Sequence, residues 1–579
     1  MSATTTEKEV ARPGSRFASW NISPLEWVVL AAAWASSMLI LGAIGWRVAV
    51  DGLTWSGSIG GLAEDTMQYL TWTRDASLHI LVGNDYTLAD ASRNYLHPGF
   101  VGSGLLHRLG LSIPLSYAVW VPVAAGAVCW GAFGFVSENI AKSKERVVAL
   151  TLALFYAVPA SLIAGLLPAN DGLIFKLFIA REPQTLTPLW GYPYSALAVG
   201  LTALSLVAYI RGRKSGKTFS PALIAGVVFT GWLQPWQGAT VIATVVACEL
   251  LLRTRRFSGL APGVPKAWLL GASASLAGVV PLVYYALLGR FDSTFIESER
   301  NLAMLAPAEH WWLILIAVVP LLLPALLVVR MRVPSVAGLT ARIWPAMAIA
   351  QALVLGGFSI ASSPSHALRG VAIPLSVLAV TGVSHLLRGD HHWPRVAVAV
   401  AGIVMFALVG TVSTERAELN AVSGSGLGSK VANYFVSRDQ LAAYTWLANS
   451  PIKGGVFGDR TGMGATIPWR TGRNVWAGHL SWSPKSPGRF NATEVVLSGA
   501  PCCRTELLKM PAGRFVQATG ARFLMTSCAT NVLLVLKQLD GAVESVHRFG
   551  CVAVIQIRAT GATTDKAAVE TIYGAGKVG

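Results

Sequence analysis

Two adjacent carboxylates, Glu64 and Asp65, follow the first long apolar run of the chain and lie just outside it. A carboxylate at such a boundary can take the proton from an attacking hydroxyl group, so both residues are candidates for a general base. Asp51 and Asp75 compete with them for this role. Each of these carboxylates is also explained by a solvated position, such as a helix N-terminus, where negative charge is favourable.

Cations next to apolar runs are candidates for binding a phosphate group. Arg369 lies in SSPSHALRGVAIPL, directly before an apolar run, whereas Lys176 and Arg181 lie in IFKLFIAREPQTLTP. A guanidinium group suits phosphate because it forms two parallel hydrogen bonds, although Arg369 is equally explained by a side chain that reaches the lipid headgroups. His97 and His366 are candidates for orienting a substrate, while a lone histidine is more often structural.

The chain that carries these residues has the composition of a membrane protein. Hydrophobic residues make up 53% of its 579 residues and charged residues only 13%, against about 25% charged residues in an average soluble protein. Repeated apolar runs of roughly 18 residues or more predict a polytopic α-helical membrane protein. The net charge of +17 then indicates basic loops that face anionic lipids rather than a nucleic-acid partner, since no basic run contains interleaved aromatic residues.

The apolar runs correspond to about 11 predicted transmembrane helices. A polar break at 234–238 separates the fifth from the sixth, and it is compatible with two short spans or with a re-entrant hairpin, because irregular backbone at this depth needs protein or water around it. The predicted spans are 25–48, 115–136, 147–167, 190–210, 221–233, 235–252, 267–288, 311–329, 343–361, 371–387 and 396–412.

Basic residues determine the predicted orientation in a cell membrane. With eleven spans, every loop rich in Lys and Arg falls on the side of the N-terminal tail, which the positive-inside rule makes cytoplasmic. We therefore predict a cytoplasmic tail (1–24) and a transmembrane domain (25–412) whose outer loop, 49–114, carries the candidate carboxylates. The first span is too long for the core of a signal peptide and is expected to stay as an anchor.

From residue 413 onward the apolar runs shorten to the length of strands. The runs 455–457, 523–525, 532–536 and 552–557 are predicted strands, and 438–450 has the apolar spacing of a helix. This pattern predicts a mixed α/β domain on the extracytoplasmic side, covering 413–558. The polar tail 559–579 is predicted to be disordered.

Six cysteines divide between the two parts of the chain. Cys129 and Cys248 fall in predicted spans and are expected to be packing residues. The extracytoplasmic side is oxidising, so one or two disulfides are expected among the four cysteines of the outward domain. Their pairing is left open by the sequence, and a zinc site is the alternative. These cysteines are Cys502, Cys503, Cys528 and Cys551.

The motif Glu64-Asp65-x-x-x-Tyr69, placed soon after the first span, resembles the modified DxD/ED signature of the GT-C glycosyltransferases. This superfamily includes the aminoarabinose transferases, the protein O-mannosyl transferases and the oligosaccharyltransferases. Three further stretches are similar to those of bacterial GT-C proteins, namely RGxxIP beginning at Arg369, the predicted helix 441–450, and IPxxTGRxVxxGH at 467–479, which ends in TGRxVxxGH. The resemblance covers most of the chain at low density.

The resemblance implies an inverting membrane glycosyltransferase that moves a sugar from a polyprenyl-phosphate donor to a cell-envelope glycan, lipid or protein on the outer face. Asp65 is then the base, assisted by Glu64. Some members of the superfamily use a divalent cation at the acidic loop, which here would be Mg²⁺ or Mn²⁺ on Glu64 and Asp65. The candidate residues for the lipid phosphate and the substrates are Arg369, Arg181, Lys176, His97, Tyr69, His366, Arg473 and His479.

Two other classes of function are compatible with the sequence. A lipid or sugar transporter or flippase would explain the broken spans near Pro235, but transport usually places ionisable groups at mid-membrane, and the predicted spans have few. A non-catalytic envelope assembly protein would use its outward domain, where Trp476, Trp482 and His479 could form a surface that stacks against carbohydrate.

Overall fold

The computed structural model describes residues 22–60, 63–89, 91–186, 189–261, 264–305, 310–357, 363–386, 393–424, 434–458, 463–498, 508 and 510–559. The predicted terminal tails, up to residue 21 and from residue 560, lie outside these ranges, as do Cys502 and Cys503. The described chain forms a helical bundle, a segment after the first helix, and a C-terminal part that contains a four-stranded sheet. The segment after the first helix corresponds to the predicted outer loop, 49–114, and is called the outer segment after that prediction.

The bundle and its loops are helical, and local signals set several helix ends. In the first helix, Ser23 and Glu26 cap each other's backbone N–H groups, and Gly52 ends the helix with a φ of 64°. The helices are α1 (Pro24–Asp51), α2 (Ala63–Ala76), α3 (Pro98–Arg108), α4 (Ile113–Ala118), α5 (Trp120–Asn139), α6 (Ser143–Phe155), α7 (Ala160–Ala164), α8 (Ala169–Ile174), α9 (Pro193–Lys214), α10 (Pro221–Leu233), α11 (Pro235–Leu252), α12 (Leu269–Phe291), α13 (Ser293–Leu305), α14 (Trp311–Leu326), α15 (Val336–Gly357), α16 (Ala372–Leu386) and α17 (Trp393–Ser423).

By length and composition, fewer helices can cross a membrane than the 11 spans that the sequence predicted. Among the described residues, 6 helical stretches are long and apolar enough, and α10, α14 and α16 are apolar but shorter. The predicted third span is divided between α6 and α7, with a non-helical stretch before Pro159. The prediction of a polytopic helical protein is thus confirmed, whereas the count of 11 spans is not.

The polar break at 234–238 separates two helices that fold back on each other. At 13 residues, α10 is about 20 Å long, which is shorter than the roughly 30 Å hydrocarbon core. The backbone carbonyl of Leu233, left over where α10 ends, accepts a hydrogen bond from Nε2 of His97 at 3.2 Å. Trp232 Nε1 donates to the carbonyl of Leu96 at 3.1 Å, so the break is joined to the outer segment.

Basic helix ends meet at one end of the bundle. Arg211 and Lys214, at the end of α9, pair with Glu138 of α5 at 2.6 and 2.7 Å. Arg146 of α6 pairs with the buried Glu26 at the start of α1. These contacts place together, at one end, basic residues of two of the loops that the charge pattern assigns to the cytoplasm. The side of the membrane that this end faces stays a prediction.

The C-terminal part is a small mixed sheet with helices around it. Its strands, in the order β3-β4-β6-β5, are antiparallel except for β3 and β4, while β1 of the outer segment pairs with β2. The strands are β1 (Thr54–Trp55), β2 (Phe435–Val436), β3 (Val456–Phe457), β4 (Phe523–Met525), β5 (Val543–Phe549) and β6 (Val552–Ile557). The helices are α18 (Arg438–Asn449), α19 (Met463–Thr471), α20 (Ser486–Ser498), α21 (Ala512–Ala518) and α22 (Val532–Gln538).

Three of the four predicted strands and the helix at 438–450 are confirmed, but the predicted strand at 532–536 is wrong. That run is the helix α22, which begins because the side chain of Asn531 accepts hydrogen bonds from the N–H groups of Leu533 and Leu534. A short apolar run cannot be assigned by periodicity alone. The strand β5 escaped prediction because VESVHRF is polar at several positions.

One disulfide joins the two sides of the β4–β6 region. Cys528 and Cys551 are bonded with a Cα–Cα distance of 4.8 Å, which confirms the expectation of a disulfide in this domain. The zinc alternative is excluded for these two residues because their sulfurs are used in the bond. Cys129 and Cys248 are buried free thiols, as predicted.

Arg473 joins the C-terminal end of α18 to the strand-like segment that follows α19. Its guanidinium group donates to four backbone carbonyls, at distances of 2.7–3.0 Å, and lies 4.8 Å from the ring of Phe523. The four carbonyls belong to Leu447, Ser450, Ile452 and Gly454. Arg473 therefore has a structural role in this fold.

Replacing Arg473 with Ala is expected to lower the melting temperature in detergent, because four carbonyls lose a charged hydrogen-bond donor. A hydrogen bond to a charged group contributes about 1.5–3 kcal/mol at most. The matched control is Arg438→Ala, since Arg438 is exposed on the first turn of α18. Thermal unfolding of the two variants measures the difference. Equal melting temperatures would contradict the structural role of Arg473.

Candidate active site

Among the competing carboxylates, Asp65 has the surroundings of a reactive group. Asp51 pairs with Arg47 at 2.9 Å on the last turn of α1. Asp75 accepts a hydrogen bond from the backbone N–H of Gly83 at 2.8 Å and forms an ion pair with Arg93 at 3.2 Å. Asp75 therefore holds the outer segment together. Asp65, on the first turn of α2, keeps 39% of its side chain exposed.

The side chain of Asp65 contacts His479, a residue 414 positions later in the sequence. The Nε2 atom of His479 lies 3.2 Å from Oδ1 of Asp65, and the imidazole ring is almost fully buried. On its other side, Nδ1 faces the backbone N–H groups of Ser481 and Trp482 at 3.2 and 3.4 Å. Because a backbone N–H can only donate, Nδ1 must be the acceptor, so the ring proton is on Nε2 and is donated to Asp65.

The turn that carries His479 is held from two directions. Its backbone N–H and that of Gly478 donate to Ser483 Oγ at 3.1 and 3.0 Å. From α13, the side-chain amide of Asn301 donates to the carbonyls of Ser481 and Ser483, both at 2.9 Å. These bonds fix the position of the imidazole ring independently of α2.

A second polar cluster is centred on Arg369. Its guanidinium group donates to both carboxylate oxygens of Glu182 at 2.6 and 3.1 Å and to Ser195 Oγ at 2.8 Å. His366 lies 3.1 Å from the same carboxylate. Burial alone would raise the pKa of Glu182, but the charges of Arg369 and His366 hold this pKa well below its ordinary value.

Tyr69 lies between the two polar groups. Burial, followed by the neighbouring Asp65, raises the pKa of Tyr69 well above its ordinary value, whereas the guanidinium group of Arg369 acts to lower it. Its ring stacks on Tyr192 with centroids 4.6 Å apart and on Phe100 at 5.8 Å. An aromatic wall therefore connects the predicted base to the predicted phosphate-binding arginine.

His97, predicted to orient a substrate, is buried at the base of this wall. Its Nε2 donates to Leu233 and lies 3.3 Å from the hydroxyl of Tyr192. Burial lowers the pKa of His97 to about 4, so the ring is neutral at physiological pH. These contacts place His97 behind Tyr192 rather than next to Asp65.

The remaining predicted site residues are Arg181, Lys176 and Glu64. Arg181 pairs with Glu418 at 3.7 Å, and Lys176 is exposed on a π-helical turn. Glu64 is on the first turn of α2, close enough to Tyr86 to influence its charge state.

Sequence reasoning missed three residues that complete the site, namely Glu182, Tyr192 and Ser195. Glu182 directly follows Arg181 in a loop that was searched for cations. Its carboxylate was therefore not predicted as a partner for Arg369. Tyr192 and Ser195 belong to GYPYS at the start of α9. This cluster of polar and aromatic residues at the end of a predicted span was the signal that could have identified them.

A protein-ligated divalent cation does not fit the donors around Asp65. Binding a metal through Nε2 would move the proton of His479 to Nδ1, directly against two backbone N–H groups. Glu64 and Asp65 are successive residues on a helix, so their side chains do not face one point. In the described part of the chain, the one group of three ligand-type side chains at metal-binding distance contains Cys528 and Cys551, which are bonded to each other.

Solved structures with a similar fold belong to membrane glycosyltransferases. The match to the oligosaccharyltransferase of Archaeoglobus fulgidus covers 88% of this chain and 70% of the oligosaccharyltransferase chain, with a TM-score of 0.51 and 13% sequence identity. The arabinofuranosyltransferase AftD from Mycobacteria matches 93% of this chain at 14% identity and a TM-score of 0.51, and this chain covers 40% of AftD. ArnT from Cupriavidus metallidurans, solved with undecaprenyl phosphate, matches 92% at 13% identity and a TM-score of 0.45.

The oligosaccharyltransferase and AftD are GT-C glycosyltransferases, and this chain has the fold that they share, as the sequence predicted. No family model matches the sequence. No curated protein matches it either.

Replacing Glu182 with Gln is expected to destabilise the protein, because it leaves Arg369 buried with a weaker partner. Breaking a buried ion pair costs about 3–5 kcal/mol. Since the pKa of Glu182 is depressed, its contribution is present above the unfolded pKa of about 4.3 and is lost only as the pH falls through the lower folded value. The loss of melting temperature relative to wild type should therefore persist from pH 8 to pH 5.

Thermal unfolding in detergent across that range measures this difference. Glu544→Gln is the matched control, because Glu544 forms an exposed ion pair with Arg522 and should change the melting temperature little. A difference that disappears between pH 7 and pH 6 would contradict the assignment.

Proposed function

We propose that the protein is an inverting glycosyltransferase that moves a sugar from a polyprenyl-phosphate donor to an acceptor of the cell envelope on the outer face of the membrane. The observation that carries this proposal is the hydrogen bond between His479 and the partly exposed Asp65, connected through Tyr69 to the Arg369 cluster. The GT-C fold supports the same class of reaction.

In the proposed step, Asp65 acts as the general base. His479 is bonded to Oδ1, which assigns Oδ2 to the proton of the acceptor hydroxyl. As that O–H bond breaks, the acceptor oxygen forms a bond to the anomeric carbon of the sugar. The bond from this carbon to the phosphate oxygen breaks, and its electron pair leaves with the polyprenyl phosphate. A positioned base contributes about 10²–10⁴ in rate.

Departure of the phosphate needs no general acid, because a phosphate is already a weak base, but its charge must be held. Arg369 and His366 supply donors at the start of α16. Glu182 and Ser195 fix the direction of the guanidinium group, so its remaining Nη1 donor is oriented before the donor lipid binds. Directed donors in a dry site stabilise developing charge more than mobile cations in water do.

Arg181 and Lys176 are proposed as peripheral residues for the lipid phosphate. Both belong to the loop between α8 and α9, which also contributes Glu182. Lys176 is exposed, and the ion pair of Arg181 with Glu418 is long, so both side chains can approach a headgroup. Their contribution is expected to be smaller than that of Arg369, because exposed charges are screened by salt.

Replacing Asp65 with Asn is expected to abolish sugar transfer without loss of folding, since the amide keeps the shape but cannot accept the acceptor proton. The measurement is transfer from radiolabelled farnesyl-phosphate-linked sugars to envelope acceptors in detergent, alongside the melting temperature. Asp51→Asn is the matched control, because Asp51 forms an ion pair with Arg47 on the last turn of α1. Transfer at the wild-type rate by the Asp65 variant would sink the assignment.

Undecaprenyl phosphate is expected to raise the melting temperature of the wild-type protein and not that of Arg369→Ala. At 100 times Kd, binding adds about 2.7 kcal/mol to the free energy of unfolding. The double variant Arg369→Ala with Glu182→Ala avoids leaving a buried carboxylate alone and should also show no shift. Arg438→Ala should retain the shift. A full shift in the double variant would place the lipid phosphate elsewhere.

A further inference from the structure

We propose that His479 is the positioning residue of the base, and that its Nε2–H group occupies the place at Asp65 that a divalent cation would need. This inference rests on the proposed function of Asp65 and adds a role for a residue of the C-terminal domain. It also makes the reaction independent of a metal bound by Asp65.

The first step of the argument is the fixed tautomer of the imidazole. Two backbone N–H groups and the hydroxyl of Ser481 surround Nδ1 at 3.1–3.4 Å. A proton on Nδ1 would point at hydrogen atoms that cannot move away, since they belong to the turn itself. His479 can therefore offer a proton to Asp65 but cannot offer a lone pair to a metal on that side.

The second step is the close fit of the ring. Tyr86 packs against His479 with centroids 5.5 Å apart, and its hydroxyl lies 3.2 Å from both Thr71 Oγ1 and the carbonyl of Ala465. A Cβ atom at Gly478 would lie 2.7 Å from the carbonyl of Gly464 and 2.9 Å from Tyr86. The imidazole thus has little freedom to turn toward another partner.

The third step is what the bond does for Asp65. An exposed carboxylate on the first turn of a helix has several rotamers of similar energy. A donor fixed by the C-terminal domain selects one of them and engages Oδ1, which leaves Oδ2 directed toward the acceptor. Glutamine at position 479 can reproduce this arrangement in part, because its amide has a donor and an acceptor, whereas alanine cannot.

The closing experiment compares wild type, His479→Gln, His479→Ala and Asp65→Asn, with His79→Ala as the matched control, since His79 is an exposed histidine that faces Asp75. Turnover of farnesyl-phosphate-linked sugars should fall about 10–100-fold in kcat for His479→Ala, by analogy with the range for hydrogen-bond partners that orient metal ligands. The KM for the donor should change little, and His479→Gln should recover part of kcat. A wild-type kcat in His479→Ala, or equal losses in both variants, would overturn the role.

A second readout does not depend on turnover. ¹⁵N NMR of histidine-labelled protein should show the His479 proton on Nε2. When Mn²⁺ is added alone, any EPR signal of bound Mn²⁺ in the wild-type protein should be unchanged in Asp65→Asn. A proton on Nδ1, or a Mn²⁺ site in the wild-type protein that Asp65→Asn removes, would overturn the proposal. If Asp65→Asn keeps full turnover, the proposed function itself fails, and the NMR and EPR results still decide the contact between His479 and Asp65.

Discussion

The hydrogen bond from His479 to Asp65 joins residues 414 positions apart, and the outer segment and the C-terminal part of the protein are built so that this bond can form. On one side, α2 carries Asp65 and is held under α19, where Arg74 donates to the carbonyl of Trp469 at 2.8 Å. On the other side, Asn301 of α13 holds the turn of His479. Ordering a residue costs about 1–2 kcal/mol in backbone entropy, so one hydrogen bond cannot position two free segments. Packing must fix both segments first, and the hydrogen bond then forms only where their relative position allows it.

The Arg369 cluster obeys a different constraint, which is the cost of charge at the edge of a membrane. A buried guanidinium group is tolerated only with a partner and further hydrogen bonds, and Glu182 and Ser195 provide them. The same partners cancel much of the net charge. Affinity for an anion must then come from donors that already point in the right direction, and this favours arginine, whose planar group is fixed by two bonds more completely than an ammonium group would be.

Residue types and helical periodicity were enough to predict the helical bundle, the C-terminal sheet and the candidates Asp65 and Arg369, whereas His479 became a candidate through the resemblance of its stretch to GT-C proteins. They were not enough for partners, because a pairing such as that of Arg369 with Glu182 depends on how distant helices pack. The same reason explains the different outcome for Arg473, which shares the TGRxVxxGH stretch with His479 but binds backbone carbonyls. The strand predicted at 532–536 failed more locally, since Asn531 supplies a helix cap that five apolar residues do not reveal.

The origin of each group suggests how specificity divides under the proposed function. Glu182, Ser195 and Arg369 all belong to the bundle and its loops, so the lipid-phosphate side of the reaction is determined by the membrane part. The partner of the base comes from the C-terminal domain, which also covers α2. Changes in that domain can therefore alter the acceptor and the setting of Asp65 without touching the phosphate site. Tyr69 connects the two sides, because the charges of Asp65 and Arg369 both act on its pKa, in opposite directions.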